Sequence, residues 1–236
     1  MRTLLYFALC SALLLTGCKQ PEERVTIKIA EPQVKKTIFE PTVADLDGLI
    51  WMNEPRSYSL ADGILKVVAE KGTDYFNNPE DGSVNGTAPF LYRKIDSNFV
   101  ATTLVRPDFG DQWNAVSLMM IIDEKHWIKF AFENSDATGK SIVTVVTREV
   151  SDDANGVVLN HTDTVWLRMI RKGDIYSMLW SLDGEDFKMA RLAKMPKAGS
   201  VMIGVEAQCP VGEEAVHDIL RFEVEERTVA DLRKGE

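Results

Sequence analysis

The sequence predicts an all-β protein built as two antiparallel sheets packed face to face. From about residue 41, apolar and polar residues alternate in short runs, which is the period of a half-buried strand. The runs are rich in β-branched and aromatic residues, and clusters of Gly, Asn and Asp separate them. No long stretch carries the apolar period of a helix. Many strands at regular spacing without helices form a sandwich.

Taken in order, the strand-like runs are "GILKVVAE", "FLYRKI", "FVATTLV", "AVSLMMII", "HWIKFAFE", "SIVTVVTREV", "VWLRMIRKG", "IYSMLWSLDG", "SVMIGVEAQ" and "ILRFEVEE". Asp183-Gly184 supplies residues that tolerate positive φ in a tight hairpin, and Lys172-Gly173-Asp174 makes a similar turn. Ser181-Leu182-Asp183-Gly184 followed by Phe187 resembles the Asp-box hairpin of sialidases, a structural element there. "GTDYFNNPEDG" and "SDDANG" read as acid-rich turns, and "TVADLRKGE" as a short final turn. In "HWIKFAFE", Ile128, Phe130 and Phe132 share one face, while Trp127, Lys129, Ala131 and Glu133 share the other. The first face belongs to a core. The second is either a solvated surface or the floor of a site.

Residues 1–17 have one charge, Arg2, and an apolar run too short to span a bilayer. Leu15-Thr16-Gly17-Cys18 resembles the lipobox of bacterial lipoproteins, in which the signal is cleaved before the cysteine and lipid is attached to it. The resemblance implies Cys18 as a lipidated N-terminus, anchored to a membrane through lipid alone. Lys19-Gln20-Pro21-Glu22-Glu23 resembles the surface-export signal of Bacteroidota lipoproteins. The implied address is an outer-membrane lipoprotein of the cell envelope, with outward and periplasmic orientations both open. Residues 18–40, with Pro21, Pro32 and many charges, read as a lipid-anchored tether, within which "VTIKIA" has the pattern of an edge strand. The sandwich then occupies 41–227, and 228–236 form a C-terminal tail.

The formal net charge is −9, and loss of residues 1–17, which carry one base and no acid, makes it −10. Such a chain repels nucleic acid and anionic headgroups. Cys10 leaves with the signal and Cys18 takes lipid, so Cys209 is alone and no disulfide framework exists. Inside "VMIGVEAQCP", Cys209 reads as a small buried hydrophobe. Stability must come from a core, and the chain is long enough to bury one.

Trp51, Asn53-Glu54-Pro55, Thr73-Asp74-Tyr75-Phe76, Asp111-Gln112, Trp127-Ile128-Lys129 with Glu133, "SIVTVVTREVSDD", "VWLRMIRKGDIYSMLWSLDG" and "IGVEAQCP" occur in that order across residues 44–226. Together they resemble an uncharacterised family of concanavalin-A-like jelly rolls, sometimes called "regulation of enolase" proteins and related to the C-terminal module of β-xylosidases. The resemblance implies a two-sheet antiparallel jelly-roll sandwich with one concave sheet. It also points to carbohydrate by analogy of fold. Two departures stand out. Trp113-Asn114 follow the Asp-Gln pair where the family usually has small residues, which adds a stacking surface. Asp153 follows Asp152 where an aromatic often stands, which removes one.

Sugars present C–H faces to aromatic rings and hydroxyls to carboxylates, amides and guanidinium groups. On that chemistry the candidate ligand-binding residues are Asp74, Tyr75, Asp111, Gln112, Trp127, Lys129, Glu133 and Arg168. Trp127 is expected to stack. The expected partner is an oligosaccharide or a glycan-bearing molecule, bound without turnover. A glycoside hydrolase or lyase needs two flanking carboxylates. The sequence contains no Glu-x-Asp, the core of the concanavalin-like glucanase motif, although Glu54, Glu133 and Glu206 remain free to meet in space. A third reading is a protein-interaction module of a surface assembly. No cofactor is implied. His126, His161 and His217 lie in no zinc spacing, and the acid-rich turns leave calcium open.

Overall fold

Alternating runs of this kind cannot bury an apolar face alone, so they pair and stack. The structure, a computed structural model, describes residues 37–38, 46 and 48–236. The signal, Cys18, most of the tether and the "VTIKIA" strand lie outside the described residues.

The first sheet contains β1 (Thr37–Ile38), β3 (Tyr58–Ala61), β4 (Ile64–Glu70), β8 (Phe99–Arg106), β13 (Val165–Lys172), β14 (Ile175–Ser181), β15 (Lys188–Lys194) and β17 (Glu214–Glu225). The second contains β2 (Ile50–Met52), β7 (Phe90–Ile95), β9 (Ala115–Asp123), β10 (His126–Ser135), β11 (Gly139–Arg148), β12 (Val150–Val158) and β16 (Val201–Gln208). A separate hairpin is made by β5 (Tyr75–Asn77) and β6 (Val84–Gly86). The first sheet runs β15-β14-β13-β8-β17-β4-β3 with β1 beside β17, and the second runs β12-β11-β10-β9-β16-β7-β2. Every strand pairing is antiparallel, and the chain crosses between sheets at β1–β2–β3, between β4 and β7, at β7–β8–β9, at β12–β13 and at β15–β16–β17. This is the jelly-roll sandwich that the sequence predicts.

The inner faces meet in one apolar core. Ile128, Phe130 and Phe132 of β10 pack with Leu167 and Met169 of β13 and Met178 of β14. The alternation in "HWIKFAFE" is therefore read correctly. Its second face points away from the core, to the outer side of the seven-stranded sheet. That side is also buried, with Phe90, Met119, Ile121, Trp127, Ala131, Val143 and Val145 in a second apolar cluster. A sheet covered on both faces is unusual for an antiparallel pair of layers.

Three local readings need correction or completion. "SDDANG" is not a turn but the middle of β12, an edge strand paired along β11. Its polar composition suits an exposed edge, where the usual apolar alternation is absent. "DYFNNPEDG" opens the β5–β6 hairpin instead of forming a plain loop. Residues 228–236 are pinned: Val229 is buried and, with Leu232, packs against Val100, Ile170 and Leu179. The predicted final turn is present, with Gly235 donating to the Asp231 carbonyl at 2.9 Å.

The Asp183-Gly184 hairpin connects β14 and β15. Gly184 has φ of 81°, and the Asp183 carboxylate accepts from the Glu185 and Asp186 amides at 2.8 and 2.9 Å. Those bonds hold its pKa down, at about 2. Cys209 is free and buried. At Gly204 of β16, a Cβ atom would lie 2.0 Å from the Leu91 carbonyl oxygen and 2.7 Å from the Tyr92 Cα. Backbone cannot give way as a flexible side chain can. Gly204→Ala is expected to destabilise the fold by roughly 1–3 kcal/mol, the usual cost of overpacking, as measured by urea unfolding.

Candidate functional site

Strand register lays out the outer face of the seven-stranded sheet in rows. Gly204, Met119, Lys129, Val145 and Asp153 form one row across five strands. Glu206, Ser117, Ala131, Val143 and Asn155 form the next. Gln208, Ala115, Glu133 and Ser141 form a third. Polar and apolar residues thus share one surface, and the polar ones gather toward one end.

The β5–β6 hairpin covers the other end. Asn77 donates its backbone amide to Ser151 Oγ at 2.9 Å and its side-chain amide to the Glu149 carbonyl at 3.0 Å. Asn53, held at φ of 54°, donates from Nδ2 to the Gly86 carbonyl at 2.8 Å. Tyr75 meets Trp127 edge-on, with ring centroids 6.1 Å apart. Trp127 is consequently only 2% exposed. It does not lie under the opposite sheet, but almost none of its surface reaches solvent.

The segment just before β5 is tied down by charge. Lys129 Nζ donates to Asp74 Oδ1 at 2.9 Å and to Gln208 Oε1 at 2.8 Å. Gln208 Nε2 in turn donates to the Trp113 carbonyl at 2.7 Å, which fixes the loop that carries Trp113. Behind it, His217 is clamped in its neutral form. Its Nδ1 accepts from the Asp108 amide at 3.1 Å, and its Nε2 donates to the Gln208 carbonyl at 3.0 Å. Burial pushes the imidazole down to about 4.

Two cavities flank this network. The smaller, of about 350 Å³, is lined by Asp74, Phe76, Trp113, Lys129, Glu133, Asp136, Asp153, Asn155 and Gln208, among others. Trp113, which is 37% exposed and adopts φ of 60°, lines this cavity from a loop. The larger, of about 630 Å³, is mostly apolar and is lined by Met52, Tyr75, Ile121, Trp127 and Met202, with Asp123 and His126 beside them.

The sequence-derived candidates are therefore divided. Asp74, Lys129 and Glu133 converge on the smaller cavity, whereas Tyr75 and Trp127 face the larger. Asp111 and Gln112 lie exposed in the Trp113 loop and line neither; the Asp111 carbonyl accepts from Asn134 Nδ2 at 3.0 Å. Arg168 is on the far side of the molecule. It lies on the outer face of β13 in the other sheet, its guanidinium 3.6 Å above the Phe187 ring and donating to Thr102 Oγ1 at 3.1 Å. Alternation along one strand cannot say which sheet that strand joins, and this correction has that cause. Gln208, Asp136 and Asn155 were not singled out by sequence. Only fold-level register reveals them, because nothing local marks them. Both departures from the family pattern, Trp113 and Asp153, fall on the smaller cavity.

Lys129 is 3% exposed and Glu133 is 7% exposed. Burial alone would lower the Lys129 pKa, but Asp74, Glu206 and Glu133 outweigh it and raise it, so the ammonium persists. Burial pushes Glu133 up to about 8 and Glu206 up to about 7, and it raises Asp153 as well. Neither Glu206 carboxyl oxygen, nor the Ser117 hydroxyl across the strand pair, meets hydrogen-bond geometry among the described residues. One ammonium is thus shared among Asp74, Glu133, Asp153 and Glu206. Among the described residues, no group of three or more His, Cys, Asp or Glu is arranged to hold a metal ion.

The family model described as "Protein of unknown function (DUF1349)" matches residues 51–227. The chain belongs to this family. The DUF1349 match spans all of the site just described. A curated relative, "Regulation of enolase protein 1" of Saccharomyces cerevisiae, is 25% identical over 160 residues, covering 68% of this chain and 80% of that protein. The crystal structure of a functionally unknown protein from Saccharomyces cerevisiae superposes with a TM-score of 0.71 at 22% identity, over 78% of this chain and 100% of that one. The GH43 BlXynB protein from Bacillus licheniformis gives 0.61 at 15% identity, over 80% of this chain and 38% of that one. Lectin I-B4 from Griffonia simplicifolia gives 0.51 at 10% identity, over 80% of this chain and 98% of that one. These likenesses establish the DUF1349 chain as a lectin-like jelly roll.

The titrations have a defined sign. A carboxyl whose folded pKa is raised binds more protons folded than unfolded, so it stabilises at low pH and that contribution is lost as pH rises through the folded value. For Glu206 the window runs from its ordinary value of 4.5 to about 7. Glu206→Gln should flatten the fall in melting temperature between pH 5 and pH 8, retaining on the order of 2–3 kcal/mol at the upper end. Thermal unfolding of both proteins across that range checks it.

Proposed function

We propose that the protein is a non-catalytic carbohydrate-binding module, with the smaller cavity as its site. One observation carries this reading. An exposed tryptophan, Trp113, lines a cavity together with carboxylates, amides and one ammonium. An aromatic face for C–H groups beside convergent hydrogen-bonding groups is the chemistry that a sugar ring needs. The volume is at the small end of ligand sites and suits one or two sugar units. The fold is shared with a lectin and with a module of a xylan β-1,4-xylosidase, which agrees with the reading but does not carry it. The aromatic role expected of Trp127 passes to Trp113.

Hydrolysis is the weaker reading, because the sequence lacks the Glu-x-Asp core of the concanavalin-like glucanase motif that sets paired carboxylates on one strand face. The module would be displayed at the cell envelope by lipid on Cys18, beyond a tether of residues 18–40.

Calorimetric titration of residues 19–236 with a panel of oligosaccharides tests the site. At least one should bind, and Trp113→Ala should weaken it roughly tenfold, the loss expected of a stacking ring. Absence of binding by any sugar at millimolar concentration would remove the reading, and release of reducing ends would replace it with hydrolysis. Separately, Cys18→Ser should abolish incorporation of labelled palmitate and shift the protein out of the membrane fraction.

A further inference from the structure

Charge at the cavity selects among sugars. We propose that the ligand is an amino sugar, a polyhydroxylated ring bearing a protonated amine that Glu133 receives. This inference rests on the carbohydrate reading of the cavity above.

Glu133 faces the cavity from β10. Its side chain is more than nine-tenths buried and lines the cavity. Among the described residues its side chain has no hydrogen bond and no ion pair, whereas Lys129, buried on the same strand, has both. Buried carboxyls are ordinarily partnered, and one left open toward a cavity marks the place of a missing donor. Lys129 cannot serve both neighbours well. It lies four residues back on the same strand, and its ammonium is engaged by Asp74 and Gln208.

The other walls set the sign of the donor. Asp136, at the end of β10, and Asp153, on β12, line the same cavity. Glu206 on β16 lies beneath, within reach of both Lys129 and Glu133. Against these acids stands a single ammonium that is already paired. In a partly enclosed site such charges are poorly screened, so an anionic sugar is repelled and a cation is drawn in. A neutral hydroxyl would satisfy one oxygen of Glu133 but would leave the charge imbalance. An ammonium satisfies both. Burial holds Glu133 protonated up to about pH 8, so receiving an ammonium at pH 7 means giving up its proton to solvent.

The experiment compares three disaccharides by titration calorimetry at pH 7 and 150 mM salt: β-1,4-linked glucosamine, its N-acetylated form, and cellobiose. The amine form should bind at least tenfold more tightly than the other two. Repetition in buffers of different ionisation enthalpy should register release of about one proton per ligand. Glu133→Gln, a near-isosteric change whose melting temperature is measured alongside, should reduce the preference below threefold and abolish the proton release. Equal binding of all three would overturn the inference while leaving the carbohydrate reading intact. A preference that persists unchanged in Glu133→Gln, as general attraction to an acidic protein would give, also overturns it. Binding of none of the three would overturn the inference, and only if the wider oligosaccharide panel also failed would the carbohydrate reading fall with it.

Discussion

A cation buried on a sheet needs an anion at hydrogen-bond distance, and the outer face of this sandwich is organised by that need. Lys129 stands mid-strand on β10, covered from solvent, and its ammonium draws Asp74 down onto the sheet. Asp74 directly precedes the β5–β6 hairpin, so the ion pair sets where that hairpin lies. The hairpin in turn seals Tyr75 and Trp127 into the second apolar cluster. Gln208 takes another Lys129 donor and passes the constraint to Trp113. Removing one partner from a buried pair of this kind typically costs about 3–5 kcal/mol, because the other charge is left stranded.

The same arrangement concentrates acid. Glu133, Asp153 and Glu206 are set by strand register within the field of one lysine, and burial keeps them hard to ionise. A sandwich gains no stability from partly satisfied carboxyls on a covered face. Their placement beside the cavity connects the packing to the proposed site. The core on the other side of the sheet is dominated by aliphatic and aromatic side chains.

Kinship describes the frame and not the site. The DUF1349 match and the jelly-roll neighbours agree on the two sheets. Yet Trp113 and Asp153, where the sequence departs from the pattern the resemblance implies, are both among the residues that line the cavity. Folds of this kind host many ligands, and the selectivity is set by a few side chains on one face.

The sequence by itself determined the architecture. Period-two alternation, turn residues such as Asp183-Gly184 and the lack of helical period are local signals, and local signals survive into the fold. The inner face of "HWIKFAFE" was legible for the same reason. The candidate site was legible only in part. Asp74, Lys129 and Glu133 could be named as polar residues on or near strands, but Gln208, Asp136 and Asn155 could not be linked to them. Trp127 and Arg168 show the limit most directly. Alternation states that each points out of the core, but it does not say what covers an outward face or which sheet a strand joins. Those are long-range facts, decided by strand order and by a hairpin held down through an ion pair between residues 55 positions apart.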